Sequence, residues 1–130
     1  ARHTKSLKVM VDFYCGTFGF KVLGSFKNHS GYDGVFLGIE GLSWHLEFTV
    51  SEKSPKSMPD EDDAMVIYPD NYENYLEMAK RVRRNYTLIT TENPYWHTNG
   101  IAVKDPDGYI IILSSQKTPK KAYTPKNYGS

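Results

Sequence analysis

The sequence predicts an α+β fold assembled from two copies of one small unit. Two observations carry this. Short stretches of apolar alternation, bounded by Gly, Asp and Pro turns, flank two helical stretches with an apolar stripe. In addition, "GVFLGIEGLSWHLEFT" from Gly34 aligns with "GIAVKDPDGYIIILSS" from Gly100 when one residue is gapped at the turn. A repeat of that length implies a duplicated supersecondary unit.

In the first half, Thr4 or Ser6 can cap a helix over about 6–17, where Leu7, Met10, Val11 and Tyr14 share one face. The glycines of "CGTFGF" end it. "KVLGSFKN" then reads as a strand, "HSGYDG" as a turn containing an Asp-Gly pair, and "VFLGI" as a second strand. After the tight turn "EGL", the stretch "LSWHLEFTV" (42–50) alternates throughout. Successive side chains of a strand point to opposite faces. Trp44, Leu46 and Phe48 are therefore expected to pack under helices, with His45 and Glu47 on the polar side.

The polar, proline-containing stretch over 52–62 reads as a linker. Beyond it "AMVIYP" is a buried strand, and Asp70 with Glu73 makes a capping-box pattern for a helix ending near Asn85. "TLITTE" is expected as a strand, "NPYWHTNG" as a loop, and "IAVKD" and "YIIILSS" as strands joined by "PDG". The second half thus reads β-α-β-β-β and the first α-β-β-β. The leading strand of the first unit is expected to lie mostly or wholly before Ala1, the start being trimmed. The boundaries are one domain over 1–115, with units at about 1–51 and 63–115, and a flexible basic tail over 116–130.

Bulk properties restrict the function. With 130 residues, 39% hydrophobic and 24% charged, the chain has the composition of an ordinary globular domain. Sixteen basic against fifteen acidic residues give no global attraction to nucleic acid. No apolar run reaches the ~20 residues that cross a bilayer, so no membrane partner is expected. The lone Cys15 excludes an intrachain disulfide and fits a reducing compartment, so a cytoplasmic location is expected.

Three stretches, "VDFYCGTFGFKVLGSF", "WHLEFT" and "NPYW…G…DPDGYIIIL", resemble the vicinal oxygen chelate superfamily of glyoxalase I, bleomycin- and fosfomycin-resistance proteins and ring-cleaving dioxygenases. The resemblance spans most of 4–115. It implies two βαβββ modules forming a curved mixed-sheet half-barrel with helices outside, a cleft for a metal or small ligand, and a homodimer. Metal-using members take one ligand from the first and last strands of each module. Carried over, Glu47 occupies the glutamate position of module one, the matching position of module two is Ile112, and Asp63 or Ala64 lies near the usual histidine. Ile112 cannot bind a metal, so a glyoxalase reaction using two symmetric glutamates is not supported.

The candidate site is then Glu47 as metal ligand or catalytic base and His45 as a second ligand to a divalent metal. The plainer reading of this pair is a polar cleft wall or a His–Glu hydrogen bond. Ile110 and Ile112 would make an apolar cleft wall, with Tyr95, Trp96 and His97 in the loop and His29 and Tyr32 at the rim. For Trp96 the plainer role is capping the core, and for His97 a surface position. Cys15 has no base nearby and reads as a packed helix residue. Three functions compete: a divalent-metal-dependent lyase or isomerase, a metal-free protein that binds or sequesters a small molecule, and a structural dimerisation module. A cleft filled by the protein's own side chains would favour the last.

Overall fold

The computed structural model describes residues 1–56 and 58–116. Its elements are β1 (Arg2–His3), α1 (Leu7–Phe18), β2 (Lys21–His29), β3 (Tyr32–Gly38), β4 (Leu46–Val50), β5 (Ala64–Ile67), α2 (Tyr72–Asn85), α3 (Tyr95–Asn99), β6 (Ile101–Lys104) and β7 (Ile110–Leu113). The expected basic tail, apart from Gln116, lies outside the described residues.

Two mixed sheets carry the repeat. The first has the order β1-β4-β3-β2 and the second β5-β7-β6. In each, the leading strand runs parallel to the last one: Arg2 and His3 beside Phe48 and Thr49, and Ala64–Ile67 beside Ile110–Leu113. A two-residue leading strand of module one is thus present at Arg2–His3, so that strand does not lie wholly before Ala1. Its pairing extends to Thr4, whose N–H donates to the Thr49 carbonyl at 2.8 Å. The two sheets and the outer helices form the half-barrel that the repeat and the resemblance imply.

Ser6 caps α1 by accepting from the Val9 N–H, and Gly19 ends it at φ 73° with its N–H on the Cys15 carbonyl. That left-handed conformation is one glycine adopts without a Cβ penalty. In α2 the cap is Asn71, one residue after the expected Asp70, and Asn71 Oδ1 accepts from the Asn74 N–H at 2.8 Å. Glu73 in its first turn and Arg83 and Arg84 in its last suit the helix dipole. The stripe of α1 (Met10, Phe13, Tyr14, Phe18) meets Val35, Leu37 and Phe48 of the first sheet. Ala79 and Val82 of α2, with Val103, Ile111 and Leu113 of the second sheet, complete the same core.

Four local expectations change. The turn between β2 and β3 sits at Ser30–Gly31, both at positive φ, so the Asp33-Gly34 pair lies inside β3. Asp33 Oδ1 instead accepts from the Asn28 N–H at 2.7 Å. The third strand begins at Leu46, because Gly41 at φ 87° and a Leu42-to-Ile39 backbone bond hold 39–42 in a turn. Trp44 is consequently 52% exposed, edge-on to Phe20, while Leu46 and Phe48 do pack toward the helices. The stretch "TLITTE" makes one bridge, Ile89 to Ala102, instead of a full strand. Finally, the expected loop 93–100 contains the short helix α3.

One buried carboxylate ties the two modules together. Asp105 Oδ1 accepts the Asp107 and Tyr109 N–H groups at 2.9 and 3.0 Å, shaping the Asp-Pro-Asp-Gly turn. Its Oδ2 accepts the Tyr14 hydroxyl at 2.7 Å and Arg2 Nη2. The Arg2 guanidinium lies 3.8 Å from the Tyr109 ring centre and 5.1 Å from that of Phe48. Burial first, and the Asp105 charge second, push the Tyr14 phenol well above its ordinary value.

Two outcomes are expected. Asp105→Ala leaves the Tyr14 hydroxyl buried without a partner and the partly buried Arg2 guanidinium without its carboxylate, so urea denaturation should show a loss of about 3 kcal/mol. Tyr14 is neutral in both states below about pH 10. Above that, the unfolded chain ionises Tyr14 and the folded chain does not, so stability falls as pH rises. Tyr14→Phe should remove about one proton, or about 1.4 kcal/mol per pH unit, from the alkaline slope of stability measured by denaturant titration.

Candidate functional site

The faces of the two sheets that turn away from the helices are built from opposite parities of the same strands. In the first sheet Phe36 pairs with Glu47 and Gly34 with Thr49, and His3 lies beside Thr49. Residues directly opposite each other share a face. The cleft face of module one therefore carries Phe36, Glu47, Thr49 and His3, while Val35, Leu37 and Phe48 face the helices. In the second sheet the cleft face carries Ala102, Ile110 and Ile112.

These two faces have different fates. In module two, Trp96, Val66 and Ile89 pack onto Ala102, Ile110 and Ile112, and Ile112 is 1% exposed. The α3 segment is held down by Ser114, whose hydroxyl donates to the Asn99 carbonyl at 2.6 Å. A Cβ on Gly100 would come within 2.8 Å of Ile112 Cγ2 and 3.4 Å of Trp96 Cε3, so a glycine allows this close cover. The module-two face is thus filled by the chain's own side chains. The module-one face stays open.

A cavity of about 290 Å³ lies where the modules meet. His45 and Glu47 from β4 and its approach, Asp63 and Met65 at β5, and Tyr109 and Ile110 at β7 border it, together with Arg2. It brings together Glu47, His45 and Ile110 from the candidate set. Ile112 lies outside it under Trp96. His45 is exposed and packs edge-on to Phe36 with ring centres 4.9 Å apart.

The remaining candidates lie elsewhere. Trp96 and His97 border a separate cavity of about 450 Å³ beside Leu88, Ile89 and Gly100. His97 Nε2 is 2.8 Å from the Thr91 carbonyl, an acceptor only, so Nε2 carries the proton. Tyr95 is exposed and stands edge-on to Trp96 at 4.7 Å. His29 and Tyr32 face each other at the β2–β3 hairpin end, where His29 is edge-on to Phe26 at 6.1 Å. Tyr32 lies 6.4 Å from the His3 ring, and His3 Nε2 is 3.1 Å from Ser51 Oγ.

A divalent metal needs at least three convergent protein ligands and an open position. Among the described residues no group of three or more His, Cys, Asp or Glu converges in that way. The position symmetric to Glu47 holds a buried isoleucine. The residues present do not fit the metal centre that the superfamily resemblance implies.

Sequence reasoning missed the Arg2–Asp105–Tyr14 cluster, His3, and the aromatic pair Phe26 and Phe36. Phe26 and Gly34, like Gly24 and Phe36, are mirrored about the β2–β3 turn, a signal readable by folding the hairpin on paper. The Arg2 contact spans 103 residues and leaves no local trace.

The description "YycE-like N-terminal domain" matches residues 1–49 and "YycE-like C-terminal domain" matches 62–115. An uncharacterised YycE protein of Bacillus subtilis is 34% identical over 119 residues, covering 90% of this chain and 86% of that one. A crystal structure of a B. subtilis YycE protein of unknown function has a TM-score of 0.83 at 31% identity, covering 94% and 93% of the two chains. The trypanothione-dependent glyoxalase I of Leishmania major follows at TM-score 0.65 and 25% identity, covering 88% and 82%. The fosfomycin-resistance protein FosX of Listeria monocytogenes, seen with Mn(II) and a dihydroxypropylphosphonic acid, is alike in fold alone (TM-score 0.61, 15% identity, 90% of each chain). The chain therefore belongs to the YycE-like family, within the glyoxalase and fosfomycin-resistance group of the vicinal oxygen chelate fold.

Proposed function

We propose that this protein binds a small organic molecule at the junction of its two modules without a metal. The observation that carries this reading is the unequal treatment of the two cleft faces. Ile112, which has no donor atom, is sealed under Trp96, while its counterpart Glu47 remains beside an open and largely apolar cavity. Leu46, Met65 and Ile110 supply apolar surface there, and Glu47 supplies one directional polar group. That is the usual composition of a small-molecule site.

A divalent-metal-dependent lyase or isomerase is the rival reading. Its support is that His45, Glu47 and Asp63 border one cavity. Against it stands the missing convergence of three ligands among the described residues. A homodimer belongs to the same proposal and is carried by resemblance alone. So does a cytoplasmic location, for which the lone Cys15 is the support. Among the described residues no helix is long and apolar enough to cross a membrane.

The binding reading predicts that aromatic ligands raise the melting temperature equally in EDTA-treated and Mn(II)- or Zn(II)-loaded protein. A thermal-shift screen without a single hit would overturn it. So would stabilisation seen only after metal loading, coupled to stoichiometric metal uptake that Glu47→Ala abolishes.

A further inference from the structure

The module-one cleft face has a feature beyond its openness: the Phe26 ring lies down on the sheet, with Phe36 tilted beside it. Phe26 pairs in register with Gly34, and Gly24 with Phe36. A Cβ on Gly34 would collide with Phe26 Cζ and Cε1 and lie 3.0 Å from Cε2. A point close to two bonded ring atoms and only slightly farther from a third lies above the ring, not beyond its edge. Phe26 therefore covers Gly34 face-on and turns its other face to the cleft. Phe36 meets Gly24 by its edge, with Cδ2 3.3 Å from that residue's Cβ position, and its ring is centred 5.7 Å from that of Phe26 and tilted 47° to it. Side chains of a strand ordinarily stand up from the sheet. Glycine at position 34 is what allows Phe26 to lie flat.

Beside this floor sits an unpaired carboxylate. Glu47 is the register partner of Phe36. The ion pairs among the described residues are Arg2–Asp105 and Lys8–Asp12, so Glu47 has no partner cation. From strand spacing and rise, Glu47 lies about 12 Å from Phe26 along the face, with Phe36 between them. An aromatic face attracts a cation, and a half-buried carboxylate beside it adds to that attraction.

We propose that this face binds an organic cation built on a planar aromatic ring, with the ring stacked on Phe26 and abutting the tilted Phe36, and the cationic group directed to Glu47. The assignment rests on the small-molecule reading above and extends it from the junction cavity across the module-one face, Glu47 being the residue shared by both.

The test uses the full chain with 9-aminoacridine, a planar cation at neutral pH, and acridone, its neutral counterpart, in fluorescence titrations. The cation should bind about tenfold more tightly than acridone and lose that advantage in Glu47→Gln, with acridone unchanged. Gly34→Ala, which lifts Phe26, should weaken both ligands, and added salt should weaken only the cation. Equal binding of the two ligands, or a preference that survives Glu47→Gln, overturns the cation assignment while small-molecule binding stands. Failure of both ligands together with a blank thermal-shift screen removes both. Self-association in sedimentation velocity that Phe26→Ala abolishes would give the face to a second copy and overturn the proposal as well.

Discussion

The Asp105 carboxylate is the constraint on which the two-module arrangement depends. One oxygen fixes the turn into β7 through two backbone N–H groups, and the other reaches back across the chain to α1 and β1. A buried charge is tolerated only where it is paired and hydrogen-bonded. That requirement makes the contact specific, because any other docking of module one onto module two would leave the carboxylate uncompensated. Arg2 is held twice, by the carboxylate and by the Tyr109 ring beneath its guanidinium. The start of β1 and the start of β7 are thereby set side by side, and the cavity forms between them and their neighbours.

The site then follows from how each half disposes of its second face. A sheet with helices on one side must cover its other side, expose it, or lend it to a partner. Module two covers it with Trp96 and a one-turn helix. Module one leaves it half open, with Phe26 laid over Gly34 and Phe36 tilted beside it. The polar groups that remain there, Glu47, Thr49 and His3, are few and sit on adjacent strands of one rigid sheet.

Much of this was legible in the residues. Period and turn chemistry located both helices within one or two residues, and the repeat announced the duplicated unit. Asp-Pro-Asp-Gly marked the turn whose first carboxylate proved central. What stayed hidden depends on distant pairs. Trp44 belongs to an alternating pattern yet lies outside the strand, because the turn at Gly41 delays pairing until Leu46. Asp33-Gly34 has the composition of a turn, but Gly34 serves ring packing across the sheet. Ile112 reads equally well as an open apolar wall or a covered one. Only the fold of 93–100 decides, and a five-residue helix has too short a period to see.

The repeat would by itself give a pseudo-symmetric cleft, in which a bound molecule could sit equally well in two orientations related by exchange of the halves. Trp96 removes that degeneracy. With one half closed, a guest meets a floor on one side and a wall on the other, and its two ends become inequivalent. Internal duplication supplied the frame, and the loss of symmetry gives the frame a direction.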